Sequence, residues 1–507
     1  MIGASRARRA INTATALIGD AFRPASRDRR QAPRWLLLAA LSCIALPHLA
    51  ALEMLPAILT NDSVWYLDQT HTWDSPRPTD YYAAGGKPVQ YALAYPPGYP
   101  LFLDLCHSIV STRNWARAVV GAQHILSFLT AILVYLIGRK LGHPLAGCVA
   151  AALYGLYFPR LLYAQTLMSE TLFAFLLALS AHLSFASLAG GAAVSALAGL
   201  VFAGAALTKF QAAAGIPLVL LLYWRARAKP VKAWAFLASA AFTGALALLH
   251  NLAFYGHPGL TTFAGRHLAN RVFASDGLVD PEDVDTRYIL HRLSASGIPY
   301  VFPGNWWGFE LALRTDRSSS SEADRRILGA ALAGIRMDPW RYARNTVSNL
   351  FVNVFVNDDL DPRWFWTRYN FSAYLRFFTK HSDENPLESR ARSRVLKAIE
   401  AYPPPMRLGS AGLSWIRLFS SPWLRWRGMA AWFLVAGLLC ALASGATASV
   451  FLAAQVIAVS LPGALFESPV PRYFEPLMPL ALLVSCAVTG HLRSGEAASI
   501  VAERESA

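Results

Sequence analysis

Two carboxylates and three other polar residues stand in this sequence where a charge is costly and chemistry can follow. Asp62 lies in Asn61-Asp62-Ser63-Val64-Trp65-Tyr66-Leu67-Asp68, directly after the first apolar run. A carboxylate leaving a helix end into an aromatic-rich loop can act as a general base on an acceptor hydroxyl. It can equally bind a cation or cap a short juxtamembrane helix. Glu170 opens an apolar run in Met168-Ser169-Glu170-Thr171-Leu172-Phe173. An acid in a first helical turn suits the N-terminal dipole, with Ser169 as the expected cap. Both acids fall on the same side of the bilayer in the topology given below, so they can share a site.

The cations are Lys209, in Ala205-Ala206-Leu207-Thr208-Lys209-Phe210-Gln211, and Arg472, followed by Tyr473 in Glu467-Ser468-Pro469-Val470-Pro471-Arg472-Tyr473-Phe474-Glu475-Pro476. A charge at the bilayer centre costs about 2.5–3.5 kcal/mol on insertion scales, and such residues tend to be functional. A guanidinium offers a phosphate a planar fork of donors, and a nearby ammonium adds a second positive charge. The plain alternative for both is snorkelling to lipid headgroups, or for Arg472 pairing with Glu467 or Glu475.

The elements that carry these residues follow from composition. Of 507 residues, 55% are hydrophobic and only 15% charged, against about a quarter charged in a typical soluble domain. Several apolar runs reach the roughly 20 residues that a helix needs to cross the bilayer. An all-α polytopic membrane protein with about ten transmembrane helices is expected. The spans fall near 35–59, 118–138, 144–159, 168–189, 192–207, 211–224, 233–253, 428–443, 447–465 and 475–490. The pair at 192–207 and 211–224 is short and broken by Lys209 and Gln211, which also suits a re-entrant pair.

The net charge of +15, from 46 Lys and Arg against 31 Asp and Glu, is gathered at span ends. Arg6, Arg8, Arg9, Arg23, Arg27, Arg29, Arg30 and Arg34 precede the first run, Arg139 and Lys140 follow another, and Arg225, Arg227, Lys229 and Lys232 a third. This is the positive-inside pattern, and it speaks against nucleic acid as a partner. Five cysteines without metal spacing imply no disulfide framework. No HExxH, Walker loop, GxGxxG context or GxSxG elbow is present.

The expected organisation is a cytoplasmic basic arm (1–34), a transmembrane catalytic module (35–253) with an outer loop at 60–117, an outer membrane-associated region (254–427), C-terminal transmembrane helices (428–490) and a cytoplasmic tail (491–507). Within the outer region, residues 326–356 have helical periodicity through Ile327, Leu332, Ile335, Trp340 and Tyr342. Its many tryptophans suit the headgroup level.

Taken in order, these motifs resemble the GT-C superfamily of integral-membrane glycosyltransferases. The nearest branch contains protein O-mannosyltransferases, lipid A aminoarabinose transferases and the RgtA/B/C/D-like bacterial enzymes. The resembling residues are Asp62, Ser63 and Tyr66; Tyr95-Pro96-Pro97-Gly98-Tyr99-Pro100-Leu101-Phe102; Ser169-Glu170-Thr171-Leu172-Phe173; Ala206-Leu207-Thr208-Lys209; and Arg472-Tyr473 with Pro476 and Pro479. Where some members carry two adjacent acids, Ser63 follows Asp62 here; where members often have Arg-Pro, this chain has Lys209-Phe210.

The resemblance implies transfer of a sugar, with inversion, from a polyprenyl-phosphate-linked donor to an envelope glycan, lipid or protein. Transfer would take place on the periplasmic face of a bacterial inner membrane. Asp62 is then the base, and Glu170 orients the acceptor or helps hold a divalent cation. Arg472, Lys209 and Tyr473 bind the donor phosphate, with Tyr66, Tyr95 and Tyr99 in the substrate loop. Two other classes fit the same composition: a flippase of lipid-linked saccharides and a non-catalytic lipid-binding membrane protein.

Overall fold

The computed structural model describes residues 34–54, 61–70, 95–110, 115–255, 259–261, 264–295, 320–355, 447–466 and 477–484. Among them the structure is helical throughout apart from turns and connecting segments. The elements in the first half are α1 (Arg34–Met54), α2 (Asn61–Asp68), α3 (Gly98–Ile109), α4 (Trp115–Lys140), α5 (Pro144–Leu156), α6 (Phe158–Gln165), α7 (Glu170–Ala189) and α8 (Ala192–Thr208). A 3₁₀ turn (Phe210–Gly215) leads into α9 (Ile216–Arg225) and then α10 (Pro230–Tyr255). Next come α11 (Ala264–Ala269), which runs on into a π-helical turn (Asn270–Ser275), then α12 (Val284–Ala295), α13 (Ser320–Met337) and α14 (Pro339–Phe355). The last named helix is α15 (Thr447–Phe466), followed by a helical segment at 477–484.

Three helices are long and apolar enough to cross a membrane by length and composition: Trp115–Lys140, Glu170–Ala189 and Pro230–Ala253. Five shorter apolar helices accompany them, at Leu38–Glu53, Pro144–Leu156, Ala192–Thr208, Phe210–Arg225 and Val450–Pro462. The described residues thus form an all-helical membrane protein fold. The span expected at 428–443 lies outside the described residues, as does part of that at 475–490. The expected span 144–159 is divided: α5 stops at Leu156, Tyr157 is extended, and α6 begins with proline in its first turn. Proline is favoured there because its missing N–H would find no partner in any case.

One apolar core joins α4, α5, α7, α8, α9, α15 and the 477–484 segment, through Val134, Ile137, Phe173, Leu177, Phe202, Val219, Val456 and Leu480. Close crossing of α8 and α10 needs Gly199, where a Cβ would collide with the Phe236 carbonyl and the Ser239 hydroxyl. Only 11% of the apolar window of α10 is buried. Its free face carries Trp234, Phe242, Leu246, Leu249 and Leu252, the dress of a helix that meets lipid tails.

The segment from 264 to 337 has a small core of its own, with Leu268, Val272, Phe273, Leu278, Ile289 and Ile327. The single amphipathic helix expected over 326–356 is two helices. Asp338 and Pro339 end α13 and start α14, and the Asp338 carboxylate accepts the Arg341 N–H at 2.9 Å as an N-cap. The expected stripe is not a single buried face: Ile327 is buried, while Leu332 of the same helix and Trp340 of α14 are exposed. This region grips the end of α15 through polar bonds. Tyr342 donates to the Leu465 carbonyl and Arg271 to that of Ala464. The Arg271 guanidinium is wholly buried and paired with Asp276.

Candidate active site

Four stretches of chain converge where α7 begins and α8 ends. The Asp62 helix, α2, is fastened to the segment that precedes Glu170 by two hydrogen bonds. Ser63 Oγ donates to the Leu167 carbonyl at 2.8 Å, and the Tyr66 hydroxyl bonds to Ser169 Oγ at 2.8 Å. The Ser169 side chain therefore makes no cap bond to α7, contrary to expectation. Its hydroxyl serves the contact between α2 and α7 instead.

Tyr95 donates its phenolic O–H to Asp62 Oδ1 at 2.8 Å. Its ring centroid lies 4.6 Å from that of Tyr66, which in turn meets Tyr99 edge-on at 4.7 Å. Tyr66 and Tyr99 are buried, Tyr95 and Asp62 only partly so. Thus of the three tyrosines expected in the substrate loop, two form the wall behind Asp62 and one touches its carboxylate. The wall is an apolar cluster with Leu67, Leu103, Trp115, Val119, Leu167 and Leu172.

The tyrosine wall is anchored by a residue that the sequence reading passed over. Tyr99 donates to Gln123 Oε1 at 2.6 Å, and the Gln123 amide donates to the carbonyls of Ala164 at 2.9 Å and Thr166 at 2.7 Å. A glutamine within an apolar run is a legible signal, because a buried amide needs partners. Here its partners are carbonyls at the end of α6, which it joins to α3 and α4.

Glu170 receives Lys209 Nζ at 2.8 Å; the two side chains are 3% and 11% exposed. Lys209 is extended and closes α8, so its side chain leaves the helix end and reaches the first turn of α7. The second Glu170 oxygen, Oε2, is buried with no hydrogen-bond partner among the described residues. Gly98 completes the convergence: a Cβ there would lie 2.7 Å from the Leu207 carbonyl carbon and oxygen. Only glycine lets α3 approach the end of α8 this closely.

Asp62, Glu170, Lys209 and the tyrosines are therefore brought to one locality. Arg472 and Tyr473 lie outside the described residues. As for a metal, no group of three His, Cys, Asp or Glu suited to one occurs among the described residues. The cation that Glu170 does hold is the Lys209 ammonium.

No family model matches the chain, and no curated protein sequence matches it. Solved structures do. An oligosaccharyltransferase, AglB from Archaeoglobus fulgidus, determined with an inhibitory peptide and a dolichol-phosphate, is 13% identical over 92% of this chain, with a TM-score of 0.36. The chain spans 52% of that protein's length. ArnT from Cupriavidus metallidurans, bound to undecaprenyl phosphate, is 14% identical over 92% of this chain and 79% of its own, with a TM-score of 0.32. The similarity is one of helical fold.

Proposed function

We propose that this protein is an inverting glycosyltransferase that moves a sugar from a polyprenyl-phosphate carrier to an acceptor hydroxyl on the outer face of a bacterial inner membrane. The observation that carries the proposal is the placement of Asp62. Its carboxylate is held by a tyrosine hydroxyl and backed by an aromatic wall, on a helix bonded to the segment that ends in the Glu170–Lys209 pair. The ordered motifs that resemble GT-C enzymes supply the reaction class.

In this scheme the acceptor O–H approaches Asp62. A carboxylate has about four lone-pair sites, so it can hold Tyr95 and still accept a further hydroxyl. Asp62 takes the proton as the acceptor oxygen bonds to the anomeric carbon from the face opposite the phosphate. The carbon–oxygen bond to the phosphate breaks, and the phosphate leaves with the electron pair. A base so placed is worth roughly 10²–10⁴ in rate.

Charge grows on the departing phosphate, which positive groups stabilise best in a site screened from water. Lys209 and Arg472, with Tyr473, take that role. Glu170 keeps Lys209 in place and orients the acceptor. The prenyl tail stays among the apolar helices throughout, which accounts for building a transferase from membrane spans. The outer region at 254–427 closes over the donor and selects the acceptor, an envelope glycan, lipid or protein.

The test is mass spectrometry of envelope glycans and lipid-linked sugars from cells with and without the gene, and with an Asp62→Asn complement. Loss of one sugar from an envelope product, retention of its prenyl-phosphate donor and no rescue by the variant are expected. An unchanged profile, or full rescue by the variant, would move the assignment to a flippase or a lipid-binding scaffold.

A further inference from the structure

Apart from the site above, the helices enclose a second polar cluster that the proposed reaction does not use. Arg160 lies in α6 and is only 4% exposed. Its guanidinium stands over the Tyr154 ring, 5.0 Å from the centroid, and its Nη2 donates to the Gly155 carbonyl. Nε and Nη1 have no hydrogen-bond partner among the described residues, and no carboxylate there pairs with the charge. An ion left buried and unpaired in this way costs several kcal/mol. A fold that keeps one has a use for its charge.

Two histidines sit beside it. His48 of α1 and His124 of α4 share a hydrogen bond through their Nδ1 atoms, with ring centroids 4.8 Å apart. His124 Nε2 bonds to Gln165 Oε1 at 2.8 Å, on the same short helix as Arg160. The charge of Arg160 acts on both rings. The hydrogen bonds fix the tautomers of the neutral pair. Since Gln165 Oε1 can only accept, His124 carries its proton on Nε2 and accepts at Nδ1. His48 then carries its proton on Nδ1 and presents a lone pair at Nε2. That Nε2 is buried and has no partner among the described residues. The cluster thus offers two unused cationic donors and one unused acceptor.

We infer that Arg160, His48 and His124 form a buried binding site for a phosphate group. Chloride and sulfate would satisfy the donors but bring no proton to the histidine lone pair. A phosphate or phosphate monoester near neutral pH, with a second pKa of about 6, is both an anion and, in its singly charged form, an O–H donor. It can meet Arg160 with its oxygens and His48 with its proton. The cluster is about 13 Å along α4 from Trp115. His124 follows directly on Gln123, the residue that braces the tyrosine wall of the candidate active site. The inference does not rest on the transferase reading, because binding is measured without sugar transfer.

The purified protein in phosphate-free detergent is titrated with inorganic phosphate, sulfate, farnesyl phosphate and farnesol, following its apparent melting temperature and the bound ³¹P signal. Saturable stabilisation by farnesyl phosphate but not farnesol is expected, lost at least tenfold in Arg160→Gln and in His48→Phe. Stabilisation by farnesyl phosphate alone would name a membrane lipid as the source, and equal stabilisation by inorganic phosphate a soluble ion. The inference fails if sulfate matches phosphate or if no phosphate compound binds. It fails equally if Arg160→Gln and His48→Phe both bind farnesyl phosphate as the wild type does. Should Arg160→Gln not fold, His48→Phe and the wild-type comparison of phosphate with sulfate decide.

Discussion

Tyr95 donates a hydrogen bond from its phenolic hydroxyl to Asp62 Oδ1 across 33 positions of chain, at 2.8 Å. The bond ties the loop before α3 to the helix that carries the proposed base, and it lowers the electron density available at one carboxylate oxygen. Loss of the carboxylate and loss of the tyrosine hydroxyl should therefore have different effects. Asp62→Asn keeps an acceptor for Tyr95 and should leave the protein inserted, with transfer down by roughly 10² or more. Tyr95→Phe should cost less, roughly ten- to a hundredfold at most, as expected for one hydrogen bond to a carboxylate of about 1.5–3 kcal/mol. Transfer rates of both variants in reconstituted membranes check this; equal losses would make Asp62 a structural partner of the tyrosine.

The Glu170–Lys209 pair makes a thermodynamic prediction. Removing one member of a buried ion pair strands the other and costs about 3–5 kcal/mol. Glu170→Gln and Lys209→Met should each lower the apparent melting temperature sharply. The double variant should recover much of that loss while remaining inactive. A double-mutant cycle on thermal stability and on transfer reads the two effects separately.

Gly98 should tolerate nothing larger. The Cβ of Gly98→Ala would sit 2.7 Å from backbone atoms of Leu207, with no flexible side chain to yield. Overpacking of this kind costs about 1–3 kcal/mol, and the shift falls on the contact between α3 and α8. The expected result is reduced transfer with a modest loss of stability. Wild-type activity in the variant would show that α3 can move without disturbing Lys209.

Outside the membrane helices, Asp324 gives a pH dependence. Burial raises its pKa above the ordinary 3.8, against the lowering effect of backbone N–H groups of Gly265 and Arg266. The folded state then holds the proton more tightly than the unfolded state. The stabilisation is complete below the ordinary value and is lost as pH rises through the raised one. Asp324→Asn removes the charge and keeps the acceptor for the Arg266 N–H. It should raise the apparent melting temperature at neutral pH and flatten its fall above about pH 4. A larger loss at neutral pH in the variant would refute the assignment.

Much of this was legible in the sequence because hydropathy and charge act over whole segments. The long apolar runs became the long helices, and the polar interruption at Lys209 became the end of α8. Asp62, Glu170, Lys209 and the three tyrosines were found because ionisable and aromatic residues at the ends of apolar runs stand out by type. Their mutual bonds were not legible, since Tyr95 with Asp62 or Tyr66 with Ser169 is a product of packing between distant segments. Ser169 shows the limit plainly: its position fits a helix cap, and only the neighbouring Tyr66 hydroxyl explains why it does not act as one. The Asp338-Pro339 break in the outer region was readable in principle, as an N-cap residue before a first-turn proline. The regular apolar spacing across it obscured the stop. Arg160 went unnoticed because it stands just past an expected span, and only the packing shows that it belongs to a separate buried helix.

The basic cluster at 225–232 has a second consequence. Lys232 Nζ donates to the carbonyls of Ser187 at 2.8 Å and Leu188 at 2.7 Å, closing the last turn of α7. The ammonium is thus a structural plug for a helix whose other end holds Glu170. Experiments that reverse charges to map sidedness would at this lysine also unseal α7, and lost activity could be mistaken for inverted insertion. Arg227 and Lys229, for which the described contacts show no such bond to a helix end, are the cleaner positions for topology reporters.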